Sequence, residues 1–206
     1  MSVYGIISFY STAYYIEGLG MISVMTINLG LMQMFTLVIN PYEKDLPQVN
    51  YDIIYMLNKR VFLIAFYGLM LNEQNEEYKS LNNKIEEIKK ELSDVENYEA
   101  KKDWHFIYLS ALIGKKYGTK YEQRFMNVQT EIMKLFVECA NMSKKLNKDE
   151  IAKKISLFEE FGNGLIEKGG ISTDNFKSLF GIEKTRKFFG NVLFGYYTFK
   201  DIAKLN

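Results

Sequence analysis

From Met1 to Tyr42 apolar residues run almost unbroken, and Glu17 is the only charged side chain. The stretch divides at Gly18-Leu19-Gly20. The part before the division, rich in Tyr, Ile, Phe and Val, suits an apolar helix or a strand, because periodicity does not separate the two over a short run; it is read as helix, with a strand over 2–12 as the alternative. In the second part, Met21 to Ile39, polar or small residues recur at Ser23, Thr26, Gly30, Gln33, Thr36 and Asn40, a spacing of three or four that traces one helical stripe. A local alternation, Ile27, Leu29 and Leu31 against Thr26, Asn28 and Gly30, would suit a strand over one short stretch. The longer period predicts a helix, stopped at Asn40-Pro41.

Asn50 then offers an N-cap, with Asp52 in the first turn where a negative charge suits the helix dipole. The run from Val61 to Leu71 is apolar on every face, the pattern of a central, surrounded helix. Beyond Asn72 the character changes to charge-rich sequence with apolar residues at Tyr78, Leu81, Ile85, Ile88, Leu92 and Val95. Their spacing of three and four leaves a narrow seam between Glu and Lys residues, which is a coiled-coil or helical-hairpin pattern. These six residues are the predicted interaction surface, since such a seam must be covered by another element of this chain or of a partner.

Asp103 can cap a helix from Trp104 to Lys116, and Thr119 with Glu122 forms a capping box before a helix whose stripe includes Phe125, Ile132 and Cys139. Asn147 with Glu150 opens the next helix, which Gly169-Gly170 stops. Ser172 or Thr173 caps a short one ending near Gly181. The last segment, Ile182 to Leu205, is rich in aromatics and is read as helix, with a strand over 186–199 as the alternative. The expected fold is therefore mainly α: a multi-helix bundle with a protruding coiled-coil-like arm or hairpin at about 72–102. An apolar helical core segment (1–71), the charged arm (72–102) and a C-terminal helical bundle (103–206) would share one compact domain.

Composition narrows the chemistry. The 206 residues carry 26 Lys+Arg against 25 Asp+Glu, so the net charge of +1 supplies no field for nucleic acid. His105 is the sole histidine and Cys139 the sole cysteine, which rules out disulfides within the chain and multi-histidine metal sets. No cofactor or metal is expected. Gly164 to Gly169 has the spacing of a phosphate loop but lacks the Lys and Ser/Thr that must follow it. The paired carboxylates at Glu76-Glu77, Glu86-Glu87 and Glu159-Glu160 sit beside lysines on faces that should be wet. A pocket around Trp104, His105 and nearby tyrosines ranks behind other readings because no constellation supports it.

These features predict a non-enzymatic, cytoplasmic accessory or regulatory subunit that works through contacts with a protein partner or with its own copy. The alternative is a membrane-anchored protein with residues 18–41 in the bilayer. That span is long enough, but Asn28 and Gln33 would lie near its centre and neither flank carries the lysines or arginines that set orientation.

Overall fold

The computed structural model of the chain describes residues 7–72, 75–99 and 103–204. Its centre is a sheet of six antiparallel strands in sequential order: β1 (Ile7–Ile16), β2 (Gly20–Leu29), β3 (Met32–Asn40), β4 (Gln48–Met56), β5 (Lys59–Tyr67) and β6 (Leu109–Gly118). Between β5 and β6 the chain crosses one face as α1 (Glu76–Glu91) and returns through a short 3-10 turn, Trp104–Tyr108. The remainder is helical: α2 (Glu122–Met142), α3 (Lys148–Lys168), α4 (Ile171–Phe180), α5 (Ile182–Phe188), a π-helical turn (Phe189–Leu193) and α6 (Tyr196–Ala203).

The fold is thus α/β, three layers deep, and not the mainly α bundle that the periodicities predict. Residues 18–41 form the β2–β3 hairpin. Gly30, with φ of +77°, occupies the first of two loop residues, a conformation that glycine adopts without Cβ strain. The stripe at 23, 26, 30, 33, 36 and 40 is a coincidence of spacing across two strands and their turn. The run from Val61 is apolar all round because β5 is an inner strand buried on both faces. A surrounded strand and a surrounded helix give the same composition, and only length separates them.

No arm protrudes. Tyr78, Leu81, Ile85, Ile88, Leu92 and Val95 are all buried in one apolar cluster with Tyr51, Phe62 and Ile64 of the sheet and Phe125, Ile132 and Phe136 of α2. Their narrow seam lies against the sheet and α2, with no coiled coil. Residues 73–74 and 100–102 of the expected arm, residues 2–6 of the first segment, read as helix with a strand over 2–12 as the alternative, and Leu205 lie outside the described residues. Residues 186–193 and 196–199 are helical, and the segment 104–116 expected as helix is mostly β6. Asn147 and Glu150 do form the capping box that opens α3, and Asp103 does cap Trp104. Thr119 caps nothing; α2 starts at Glu122 without a side-chain cap. The N-cap of α4 is Gly170, with no side-chain cap hydrogen bond.

Alternation along the strands sends successive residues to opposite faces, so two separate cores form. One lies between the sheet and α1–α2. The other packs Met21, Met25, Val38, Ala65 and Tyr67 against α3, α4, the π turn and α6. Four side-chain bonds to backbone carbonyls pin this second layer to the sheet side. Ser23 Oγ donates to Val192, Asn40 Nδ2 to Leu193 at 3.2 Å, Tyr42 Oη to Phe194 at 2.8 Å, and Lys154 Nζ to Leu46 at 2.6 Å. Three of the four acceptors lie in or next to the π turn, whose wide helical repeat leaves carbonyls that ordinary helical bonding would have used. Lys154 is fully buried, and burial lowers its ammonium to about 8 against the pull of Asp45.

Among the described residues, no helix is long and apolar enough to cross a membrane.

Candidate functional site

The second core is incompletely filled. Between its sheet face and the helices lies a cavity of about 240 Å³, far above the ~15 Å³ that one water needs. Register explains its floor. Met25 pairs with Thr36, Thr36 with Asp52, and Asp52 with Leu63, so these four side chains form one row across β2 to β5. Asn50 lies two residues before Asp52 on the same face of β4, about 7 Å away. The roof is Phe161 and Leu165 of α3, Phe176 of α4, and Phe189 and Leu193 of the π turn. The rim includes Tyr98, Asp103, His105 and Phe106.

Asp52 is the chemical centre of this space. Thr36 Oγ1 donates to Asp52 Oδ1 at 2.5 Å, and no lysine or arginine among the described residues pairs with the carboxylate. The residue is part-buried and lines the cavity. Burial therefore dominates and pushes the carboxyl up to about 6, opposed only by the Thr36 bond. A carboxyl in that range exchanges a proton near neutral pH, which an exposed aspartate does not. Among the described residues that line the cavity there is no Lys or Arg.

The 3-10 turn sets the rim. Trp104 Nε1 donates to Gly169 O at 2.8 Å, and its ring lies so close to Gly164 of α3 that a Cβ there would sit 2.5 Å from Cη2. That anchoring turns His105 toward the cavity, with its ring 6.0 Å from Tyr67. Burial lowers the imidazole below its ordinary value, against the pull of Asp103. Among the described residues no group of three or more His, Cys, Asp or Glu could hold a metal ion.

The same fold occurs in a solved enzyme. The crystal structure of phytochromobilin synthase from tomato, in complex with biliverdin, superposes with a TM-score of 0.73 at 12% sequence identity, covering 94% of this chain and 74% of that one. No protein-family model matches the chain, and no curated protein sequence does either. A likeness at this identity is a likeness of fold. It replaces the expectation of a non-enzymatic, all-helical interaction protein with an α/β architecture shared with a bilin enzyme. The membrane alternative falls with the 18–41 helix on which it rested.

The six predicted interaction residues lie on the opposite side of the sheet from the cavity, inside the first core. Cys139 is in that core too, and burial raises its thiol. Of the residues singled out for a pocket, His105 lines the cavity and Trp104 anchors its rim. Thr36, Asn50 and Asp52 were missed as site residues. The signal was there: Gln48, Asn50 and Asp52 alternate strictly with Val49, Tyr51 and Ile53, which is the period of a strand whose polar face must be accommodated.

Proposed function

We propose that the chain is a bilin-binding enzyme that holds a linear tetrapyrrole between the sheet and the roof made by α3, α4 and the π turn, and uses Asp52 as its acid. The observation that carries this reading is the Asp52 carboxyl, raised to about 6 by burial, on the floor of a largely apolar cavity whose second carboxyl, Asp103, lies at the rim. A tetrapyrrole brings flat apolar surface for Met25, Phe161, Phe176 and Leu193, and nitrogens that exchange protons with a carboxyl. The protonated Asp52 gives its proton to a ring nitrogen and remains as the carboxylate partner of the resulting N–H. The fold's occurrence in a synthase crystallised with biliverdin supports the choice of ligand. A cytoplasmic setting belongs to the same reading, because a lone buried cysteine suits a reducing compartment.

Absorbance titration with biliverdin tests it. Saturable binding is expected, with a band whose shape titrates near pH 6 in the wild type and loses that titration in Asp52→Asn. Absence of saturable binding, or an unchanged titration in the variant, refutes the assignment.

A second reading, association of two copies of the chain, has one observation in its favour. The outer side of edge strand β1 exposes Tyr10 (62%), Tyr14 (53%) and Ile16 (42%) without a charge among them, whereas β6 is flanked by residues 96–98 through Lys116 N to Glu96 O and Tyr98 N to Gly114 O. A long uncharged edge is a template for strand pairing. Light scattering across a concentration series, on wild type and Tyr14→Lys, separates a dimer from a monomer.

A further inference from the structure

Eight buried side-chain polar atoms among the described residues lack a hydrogen-bond partner, and two of them belong to cavity-lining residues: Asn50 Oδ1 on the floor and His105 Nδ1 at the rim. A polar atom buried without a partner is costly, and folds rarely keep one without a use for it. Both belong to residues that line the cavity, and no Lys or Arg stands among the described lining residues to satisfy them. Burial keeps the His105 imidazole neutral at pH 7, so one ring nitrogen is always an acceptor whichever of them carries the proton. The two residues come from elements fixed independently: Asn50 by the β3–β4–β5 register, opposite Val38 and Ala65, and His105 by the Trp104 anchor on α3.

We propose that Asn50 and His105 are the ligand-orienting residues of the cavity, each accepting a hydrogen bond from a different N–H group of one bound molecule. The ligand class follows: a flat heterocycle with several separated N–H donors, whose anionic groups find no Lys or Arg among the described residues that line the cavity. This inference rests on the bilin reading for the identity of the ligand, while the two unsatisfied acceptors stand without it. Neither residue is a proton donor; both position the molecule over Asp52, and the floor pair Asn50–Asp52 presents an amide beside an acid. Removing one acceptor lets the ligand shift or rotate, which changes its spectrum as well as its affinity.

The experiment uses the full chain, with biliverdin as probe and Asn50→Leu, His105→Phe and His105→Gln as variants. Asn50→Leu and His105→Phe should each weaken binding about 3- to 10-fold, the effect of one net hydrogen bond, and shift the bound absorption band. His105→Gln, which keeps an acceptor, should recover most of the affinity. Without ligand, Asn50→Leu should melt above the wild type, because it removes an unsatisfied acceptor at nearly constant volume. Affinities within twofold of wild type in both apolar variants overturn the proposal, and so does a lower ligand-free melting temperature in Asn50→Leu. If the wild type does not bind biliverdin yet Asn50→Leu melts higher, the bilin assignment fails and the unsatisfied acceptor stands; if the wild type binds and the variants are silent, only the present inference fails.

Discussion

Phe62 and Leu63 follow one another along β5 and point to opposite faces of the sheet. Phe62 is fully buried, its ring 5.5 Å from Tyr51 and 5.0 Å from Phe125, in a core that α1 and α2 close completely. Leu63 lines the cavity. The same backbone thus serves one face packed for stability and one face left short of atoms. On the first face helices adhere mainly through apolar burial, which is non-directional and tolerates no gap, with Arg60 of β5 donating to Glu122 at the start of α2 at 3.2 Å. On the second, side-chain bonds from Ser23, Asn40, Tyr42 and Lys154 hold the helices in place at one end. A layer pinned at its edge can stay open in its middle, and that is what a binding cavity requires.

The largest test of this contrast is the pair of truncations. Phe62→Ala should cost about 3–5 kcal/mol, as large-to-small changes in closed cores do, whereas Leu63→Ala only widens an existing void and should cost about 1–2 kcal/mol. Urea unfolding of both variants decides it. Equal losses would mean that the cavity face is as tightly packed as the other, and that the opening has no significance.

The second test uses Asp52. Its carboxyl is raised from 3.8 to about 6 in the folded chain, so between those values the folded state holds more protons than the unfolded one. Stability contributed by this site is therefore full below about pH 4 and is lost as pH rises through 6. Asp52→Asn removes the ionisation and keeps an acceptor for Thr36. At pH 7 the variant should be more stable than wild type by about 2–3 kcal/mol, with the gap closing toward pH 4. A gap that does not change between pH 4 and 7 would show that burial does not tune this carboxyl. A group that destabilises its own fold in this way is a site kept for function at the expense of stability.

Much of this was legible in the sequence, but unevenly. The seam from Tyr78 to Val95 correctly marks a buried face, because a helix that packs on one surface shows its period regardless of what lies opposite. What lies opposite is invisible locally: a sheet and α2 leave the same trace on α1 as a coiled-coil partner would. The strands were misread for two physical reasons. Inner strands such as β5 lose their alternation when both faces are buried, and β2 and β3 carry Ser23, Thr36 and Asn40 inward, where tethers and cavity replace the usual apolar contacts. Asn50 and Asp52 resemble helix-start residues for the same cause, since polar groups facing a cavity break the rule that inward means apolar. Only the register, which brings Thr36 beside Asp52, turns three scattered polar residues into a site.

The smallest effect concerns the tethers, and it bears most directly on the contrast between the faces. Tyr42 is fully buried, its ring stacked 4.8 Å from Phe199, and its hydroxyl donates to Phe194 O at 2.8 Å. Tyr42→Phe keeps the stacking and deletes only the donor, leaving the Phe194 carbonyl short of a partner, so a loss of about 1–1.5 kcal/mol is expected. The informative readout is local. If polar pins hold the cavity-side layer, amide exchange should quicken in the π turn at residues 189–195 and remain unchanged in α1 and α2, because the apolar core on that side does not depend on the tether. Uniform acceleration across both layers would show instead that the two faces unfold as one unit, and that the tethers contribute stability without giving the cavity side a mobility of its own.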